Sequence, residues 1–278
     1  MDIAGRGMVV TGAAGGIGLA LATEFHRRGA TVVLADVKAS AIETAVRELD
    51  ARRPGSALGF VADVSTEDGN RELIDLARRA LRESSCELDL FFANAGIGGG
   101  TLVESTTEAE WDMAFRVNLH AHRWAAKHLL PEWLARGHGY FCSTASAAGL
   151  LSQIGSAPYS VTKHGAVAFA EWLAITYGDR GLRVSCLCPQ GVNTDMLKGD
   201  GGTDGVGAGA TDVVRAAGVV LEPSQVATVV ADCIEAETFL VLPHPEVARY
   251  EQARSADRGR WLAGMRKLQA RIVGTPGS

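Results

Sequence analysis

Short apolar runs alternate with amphipathic stretches along most of the chain. Between the runs GMVVTG, TVVLAD and ALGFVADV lie GLALATEFHRRG and SAIETAVRELDARR, which carry apolar residues at helical spacing. The alternation continues through the further apolar runs LDLFFANAG, GYFCSTAS, LRVSCLCP and FLVLP. Runs of this length rich in β-branched residues predict strands, and the segments between them predict helices. The pattern therefore predicts about seven strands that alternate with helices.

Strands that are apolar along nearly their whole length are typical of a parallel sheet covered by helices on both faces, with right-handed crossovers. The predicted fold class is α/β, a Rossmann-like doubly wound parallel sheet of about seven strands in a single domain. A charged, helix-prone sequence begins at about Glu246. We expect residues 1–245 to form the main unit and residues 246–278 to form a C-terminal helical extension of the same domain.

Length and composition fit one globular domain, because 278 residues with 47% hydrophobic and 21% charged residues can bury a large core. The net charge of -5 comes without a basic stripe, so nucleic acid and a membrane surface are not expected partners. The start MDIAGRGMVVTG lacks a basic region, and no later segment approaches about 18 uninterrupted apolar residues. We expect a cytoplasmic protein with a small-molecule ligand.

Cysteines and histidines are common metal ligands, but their spacing here does not favour a metal site. The five cysteines are scattered, and Cys186 and Cys188 lie two apart on a predicted strand. We interpret them as reduced core thiols. A predicted helix contains His120, His122 and His128, and no carboxylate or cysteine lies at ligand spacing from them. No metal site is predicted.

The first strand ends in the glycine-rich sequence TGAAGGIG, and ligands of doubly wound sheets bind beyond the carboxyl ends of the strands. Glycines allow a tight turn and bring the backbone close to a pyrophosphate, which the N-terminus of the next helix stabilises. Asp36 ends the second strand, 18 residues after Gly18, where its carboxylate can accept hydrogen bonds from adenosine ribose hydroxyls. The same charge repels a 2′-phosphate, so NAD is favoured over NADP. Lys38 either softens this preference or is simply solvated.

Polar residues also end the later strands. Asp63, in ADV, could receive an adenine amino group while the Val64 amide meets a ring nitrogen, or Asp63 could cap the following helix. The turn from Asn94 to Gly96 either passes close to a ribose or is an ordinary turn. The fifth strand ends in STAS and the sixth in CPQGVNT. These ends all lie on the side of the sheet where a ligand is expected.

The pentapeptide YSVTK opens a long apolar helix with a phenol and an ammonium four residues apart. Residues at i and i+4 share a helix face, so the Lys163 charge can lie close to the Tyr159 oxygen. A neighbouring cation stabilises phenolate and would lower the tyrosine pKa from about 10 towards neutrality. Tyr159 could then act as an acid or base, the alternative being an exposed first helical turn.

Together these motifs resemble those of the short-chain dehydrogenases/reductases, in their single-domain form of about 250 residues. The resemblance covers roughly residues 6–243 and rests on TGAAGGIG, Asp36, ADV, NAG, VNL, SAAG, YSVTK and PQGVNT in one order. It implies that residues 1–245 are an NAD-binding catalytic domain. The implied catalytic residues are Asn118, Ser146, Tyr159 and Lys163. The implied cofactor-binding residues are Gly12, Gly15, Gly16, Ile17, Gly18, Asp36, Asp63, Val64, Asn94, Ala95, Gly96, Tyr159, Lys163, Pro189, Val192 and Thr194.

The resemblance also implies a reaction. Tyr159 would exchange a proton with the substrate oxygen while hydride passes between the substrate carbon and the nicotinamide of NAD. Lys163 would hold the nicotinamide ribose and lower the Tyr159 pKa, and Asn118 would hold a water that connects Lys163 to solvent. Ser146 would orient the substrate oxygen. Ser146 lies 13 residues before Tyr159, the spacing used in this family, and therefore ranks ahead of Ser143 and Ser152.

The segment PQGVNT departs from the family pattern. The family generally has glycine directly after the proline, whereas this chain has Gln190 and then Gly191. The distance from Pro189 to Thr194 is preserved, so we expect the loop to keep its role with a changed backbone path. In that role the Val192 amide would hold the nicotinamide carboxamide.

Substrate specificity in this family lies between the catalytic serine and tyrosine and in the loop after the threonine. We expect substrate contacts from Ser146, Gln153 and Tyr159, and an apolar pocket wall from Leu150, Leu151 and Ile154, which suits a secondary alcohol or ketone on an apolar body. The glycine-rich loop at 199–209 is expected to order over bound ligands. The resemblance implies a homotetramer, or at least a dimer. A non-catalytic dinucleotide sensor on the same fold is the alternative function, although a sensor would be free to lose the catalytic side chains.

Overall fold

A computed structural model describes residues 1–198 and 218–272. Its centre is a seven-stranded sheet in the order β3-β2-β1-β4-β5-β6-β7, in which each neighbouring pair is parallel. The strands are β1 Gly7–Thr11, β2 Thr31–Asp36, β3 Ala57–Val61, β4 Leu88–Ala93, β5 Gly139–Thr144, β6 Leu182–Leu187 and β7 Leu240–Val241. The predicted α/β class and doubly wound sheet are confirmed.

Helices connect the strands and continue beyond the last one. They are α1 Gly16–Arg27, α2 Ala39–Asp50, α3 Glu67–Glu83, α4 Glu108–Phe115, α5 Ala121–Arg136, α6 Ala157–Tyr177, α7 Asp195–Lys198, α8 Pro223–Glu235, α9 Glu246–Ala256 and α10 Arg258–Ile272. Helices α9 and α10 begin where the sequence predicted a helical extension. None of the helices in the described residues is long and apolar enough to cross a membrane.

Both faces of the sheet are buried along the central strands β1, β4 and β5, whereas the edge strand β3 is only partly covered. In each strand alternate side chains point to opposite faces. Thus Phe91 packs into the core against α3, α5 and α6, whereas its neighbour Phe92 packs into the core against α1, α2 and α8. Val247, from α9, is fully buried in the first of these cores, so the start of the helical extension is packed onto the main unit.

The strand order reverses beside β1. The chain runs outward from β1 through β2 to β3, then crosses to β4 on the other side and runs outward to β7. The connections leaving β1 and β4 therefore diverge, and a crevice opens at the carboxyl ends of these strands. The loops that follow the strands start at this edge, where doubly wound sheets bind their ligands.

The connection between α4 and α5 is a π-helical turn, Arg116–His120. Helix α4 begins with a capping box in which the Thr107 side chain accepts from the Glu110 backbone and the Glu110 side chain accepts from the Thr107 backbone. The wider turn changes which backbone groups are paired at its centre, where Asn118 lies.

Candidate functional site

The loop after β1 crosses the crevice with little room for side chains. Gly12 and Gly16 have φ of +66° and +52°, a region that favours glycine. A Cβ at Gly18 would lie 2.1 Å from the Gly12 carbonyl oxygen, so α1 packs directly against the end of β1. A Cβ at Gly15 would meet nothing within 4 Å. The result is an open cradle at the N-terminus of α1, which fits a pyrophosphate next to Ile17 and the other first amides of the helix.

Asp36 is fixed beside this glycine loop. Its Oδ2 accepts from the Ala14 amide at 3.1 Å, and its Oδ1 accepts from the Lys38 amide at 3.1 Å. Each carboxylate oxygen can accept more than one hydrogen bond, so Asp36 keeps capacity for a ribose hydroxyl. Lys38 is exposed. The carboxylate at the end of β2 therefore lies beside the glycine loop, although helix α1 and strand β2 separate them in the chain.

Asp63 and Val64 follow β3 at the same edge of the sheet. Asp63 is exposed, and its Oδ1 accepts from the Ser65 amide at 2.9 Å. The residue that caps α3 is Thr66, whose hydroxyl accepts from the Gly69 amide at 3.0 Å. The alternative interpretation of Asp63 as the cap of helix α3 is thus wrong, because Thr66 occupies the capping position. Val64 is buried under the turn.

The turn from Asn94 to Gly96 is held by two threonines that sequence reasoning missed. The Thr11 hydroxyl accepts from the amides of Asn94 and Ala95, both at 3.0 Å, and the Thr144 hydroxyl donates to Asn94 Oδ1 at 3.0 Å. Thr11 and Thr144 end β1 and β5, so their positions as the last residues of two apolar runs were the available signal. Together they tie three neighbouring strand ends into one hydrogen-bonded group.

Asn118 is completely buried in the π-helical turn. Its Oδ1 accepts from the Ile97 amide at 2.9 Å, and its Nδ2 donates to the Ile97 carbonyl at 3.0 Å. A Cβ placed on Gly96 would lie 3.3 Å from both Asn118 Oδ1 and Lys163 Nζ. The amide side chain, the glycine and the lysine therefore converge, although they are far apart in the sequence.

Ser146 lies beside Tyr159, where its hydroxyl acts to lower the pKa of the phenol, and its Oγ donates to the Pro189 carbonyl at 3.5 Å. Ser146 caps a short 3-10 helix, where its Oγ accepts from the Ala148 amide at 3.1 Å. The competing serines lie elsewhere. The Ser143 hydroxyl is paired with His122 Nδ1 at 2.8 Å, and Ser152 is exposed with φ of +102°. The structure therefore brings Ser146, and neither of the other two, to the tyrosine.

Lys163 lies one helical turn after Tyr159 and is 2% exposed. Its Nζ lies 5.6 Å from the centre of the Tyr159 ring and donates to the Thr144 carbonyl at 2.9 Å. Burial lowers the pKa of Lys163 to about 8. The three groups Lys163, Thr144 and Asn94 thus form a continuous polar path along the base of the crevice.

The pKa of Tyr159 is raised from its ordinary value, chiefly because burial disfavours phenolate, while the hydrogen bond from Ser146 opposes the shift. The sequence predicted a lowered pKa from the Lys163 charge alone. That expectation is wrong for this arrangement, because the loss of hydration outweighs the favourable groups around the phenol.

The loop Pro189–Thr194, which follows β6, returns to the glycine loop. The Pro189 carbonyl accepts from the Ala147 amide at 2.8 Å, and the Thr194 methyl would lie 3.2 Å from a Cβ on Gly16. The loop also pairs through Val192 with Leu221. Neither Gln190 nor Gly191 has a positive φ. The sequence after Pro189 therefore follows its path without a left-handed residue.

The segment between Ser146 and Tyr159 carries the residues that the sequence predicted for substrate contact. Leu150 and Ile154 are buried, Leu151 is half-buried, and Gln153 Nε2 donates to the Ile154 carbonyl at 3.1 Å. The predicted mobile loop at 199–209 lies outside the described residues. Within residues 1–198 and 218–272, no group of three or more His, Cys, Asp or Glu side chains is arranged to hold a metal ion.

Comparisons with known proteins identify the family of this chain. The family model for short chain dehydrogenases matches residues 6–204. A retinol dehydrogenase 10-A of Danio rerio is 34% identical over 219 residues, covering 71% of this chain and 65% of its own length. A 1-deoxy-11-beta-hydroxypentalenate dehydrogenase of Streptomyces exfoliatus is 36% identical over 202 residues, covering 72% of each chain.

A solved short chain dehydrogenase/reductase from Burkholderia phymatum, in complex with NAD, has a TM-score of 0.84 to this chain. It is 27% identical, and the match covers 92% of this chain and 95% of that one. The chain belongs to the short-chain dehydrogenase family.

Proposed function

We propose that the protein is an NAD(H)-dependent oxidoreductase that transfers hydride between the nicotinamide of NAD and a secondary alcohol or ketone on a largely apolar substrate. Tyr159 acts as the general acid and base. The observation that carries this proposal is the convergence of the Tyr159 and Ser146 hydroxyls beside Lys163, at the same edge of the sheet as the glycine loop.

The residues of the crevice fit a dinucleotide from end to end. The glycine loop, residues 12–18, takes the pyrophosphate at the N-terminus of α1, and Asp36 takes the adenosine ribose. Asp63 and Val64 would bind the adenine, the turn 94–96 would bind the sugars, and the Pro189–Thr194 loop would bind the carboxamide through Val192. NAD when bound supplies the hydride acceptor.

The preference for NAD over NADP rests on the Asp36 carboxylate, which would repel a 2′-phosphate. The similar Burkholderia phymatum enzyme, solved in complex with NAD, supports this choice. Lys38, which is exposed, has room to turn away from the site.

Tyr159 and Ser146 handle the substrate oxygen. A raised pKa keeps Tyr159 protonated at neutral pH, so in the reducing direction its O–H is ready to donate a proton to a carbonyl oxygen. In the oxidising direction Tyr159 must lose its proton, and the nearby Lys163 ammonium stabilises the phenolate that forms. The Asn118 side chain fixes the backbone that faces Lys163, and a water held there would connect the lysine to solvent.

The substrate body is apolar in this proposal because Leu150, Leu151 and Ile154 form the wall beside Tyr159, with Gln153 as a polar contact. The similar proteins named above are dehydrogenases of retinol and of a hydroxypentalenate. These names support an alcohol as the substrate of this chain.

The test is fluorescence titration with NADH and NADPH, followed by a panel of apolar secondary alcohols and ketones monitored at the nicotinamide absorbance. We expect tight NADH binding and turnover of at least one panel member. Binding without turnover on a broad panel would favour the dinucleotide sensor instead, and absence of NADH binding would overturn the proposal.

A further inference from the structure

His244 lies outside every motif discussed so far, yet it reaches the Pro189–Thr194 loop. It follows β7 and is 2% exposed. Pro243 and Pro245 flank it, and proline restricts both its own backbone and that of the preceding residue. The imidazole is therefore presented from a backbone that has little conformational freedom.

Both ring nitrogens of His244 contact consecutive backbone groups of the loop. The Gln190 amide lies 3.1 Å from Nδ1, and the Gly191 carbonyl oxygen lies 3.1 Å from Nε2. A backbone amide can only donate and a carbonyl can only accept, so Nδ1 is the acceptor and Nε2 carries the proton. The contacts require the neutral Nε2–H form of His244.

These contacts fall at the two residues where the chain departs from its family's glycine-after-proline pattern. The Gly191 carbonyl also accepts from the Leu221 amide at 2.9 Å, and Asn193 donates its amide to the Leu221 carbonyl at 2.9 Å. Leu221 thus holds the loop on one side and His244 holds it on the other. Removing the imidazole would release the peptide groups that directly precede Val192.

We propose that His244 is a positioning residue that sets the loop Pro189–Thr194 for the nicotinamide end of the cofactor. The inference rests on the proposed function, because it assigns the Val192 amide to the nicotinamide carboxamide. It goes beyond that function by giving the segment after β7 a part in cofactor recognition. His244 touches no reacting atom in this role and acts only through the loop.

The experiment compares two ligands in the full-length protein by calorimetric titration. NADH carries the nicotinamide, whereas ADP-ribose carries the adenosine, the pyrophosphate and the second ribose but no nicotinamide. For His244→Ala we expect NADH affinity to fall by about tenfold while ADP-ribose affinity stays within about twofold, since two buried hydrogen bonds to the loop are lost. His244→Gln keeps a donor for the Gly191 carbonyl and should recover part of the loss.

The matched control is His26→Ala, which removes another buried histidine whose Nε2 is bonded to Ser56 Oγ at 2.8 Å, away from the loop. This variant should leave both affinities unchanged. If His244→Ala does not fold, the same ratio of NADH to ADP-ribose affinity is measured in His244→Gln, where a fall of about threefold is expected.

An unchanged ratio in the folded His244 variants, with NADH bound normally by the wild type, would overturn the role of His244 and leave the proposed function intact. Failure of the wild type to bind NADH would instead overturn the proposed function. Equal losses for both ligands would also count against positioning, because a general disturbance of the fold has no reason to select the nicotinamide end.

Discussion

The phenol of Tyr159 is subject to opposing influences. Burial raises its pKa, whereas the Ser146 hydroxyl and, when charge develops, the Lys163 ammonium favour phenolate. Because burial is the largest of these effects, the phenol favours its protonated form, as the proposed role of a general acid requires. The chemistry of this residue is thus decided by its neighbours and not by its side chain alone.

We predict that Tyr159→Phe lowers kcat by about 10²- to 10⁴-fold, because only the proton-transferring oxygen is removed. The dissociation constant for NADH should stay within about threefold, since cofactor contacts elsewhere are intact. Single-turnover kinetics and fluorescence titration measure the two quantities. Tyr177→Phe, on the same helix, is the control and should retain full turnover; near-normal kcat in Tyr159→Phe would contradict the assignment.

The proposed preference for NAD over NADP rests on the Asp36 carboxylate. We predict that Asp36→Ala weakens NADH binding and lowers the ratio of NADH to NADPH affinity by about tenfold or more, because repulsion of a 2′-phosphate is relieved. Titration with both cofactors gives the ratio. A ratio equal to that of the wild type would mean that the ribose is recognised by other residues.

At the scale of elements, the glycine loop joins β1 to α1 under two different constraints. A Cβ on Gly18 would lie 2.1 Å from the Gly12 carbonyl oxygen and 2.7 Å from Asn94 Nδ2, whereas one on Gly15 would meet open space. Gly18 is therefore required for the packing of helix on strand. Gly15 has an extended backbone that any residue can adopt, so its requirement is the approach of a ligand.

We predict that Gly18→Ala lowers the free energy of unfolding by about 2 kcal/mol or more, because the added methyl group forces α1 away from β1. The free energy of unfolding of Gly15→Ala should lie within about 0.5 kcal/mol of the wild-type value. The same variant should bind NADH more weakly. Denaturant unfolding and cofactor titration separate the two effects. Equal stability of the two variants would show that the close approach at Gly18 is easily relieved.

Helix α6 carries the second element-scale feature, an exposed apolar face made by Val161, Trp172 and Ile175, which are 49%, 52% and 84% exposed. The opposite face supplies Thr162, Lys163 and Ala166 to the interior. Such a face on the helix that bears Tyr159 supports the proposal that a second copy of the chain covers it, as a homodimer or homotetramer.

We predict that Ile175→Glu yields a smaller species than the wild type, because a carboxylate would have to be buried between subunits without a partner. Size-exclusion chromatography with light scattering gives the mass. Leu76→Glu, on α3, introduces the same charge at an apolar residue that is 37% exposed and should leave the mass unchanged. A wild-type monomer would argue against the proposed assembly.

At the scale of the whole molecule, stability in mild acid depends on buried imidazoles. Burial, reinforced by the Lys163 charge, lowers the pKa of His122 to about 3 from its ordinary 6.5. Between these two values the unfolded chain binds a proton that the folded protein does not. The stability of the folded protein is therefore unaffected by the titration of His122 above pH 6.5, and it decreases progressively as the pH falls towards 3.

We predict that the free energy of unfolding falls between pH 7 and pH 5.5, with about 1 kcal/mol of the fall due to His122. His122→Gln should remove that part of the slope. The variant keeps the contributions of the other histidines with lowered pKa values, which are His26, His120 and His138. Urea unfolding at the two pH values measures the difference, and identical slopes would mean that His122 is protonated in the folded state.

Much of the fold followed from the hydrophobic pattern, because strand and helix periods are local properties of the chain. The strands fell on the predicted apolar runs, and the helical extension began at Glu246. The widening of the helix at Asn118 could not be predicted in this way, since the π-helical turn depends on the contacts of Asn118 with Ile97 and Thr162.

The sequence by itself determined the class of fold, the glycine loop, Asp36 and the serine, tyrosine and lysine of the candidate site, because each is encoded by residue type and short spacing. Only the tertiary structure decided that Thr11 and Thr144 support Asn94, that His244 reaches the loop after Pro189, and that the Tyr159 pKa is raised. These depend on contacts between residues far apart in the chain and on loss of water around them, neither of which has a local pattern to read.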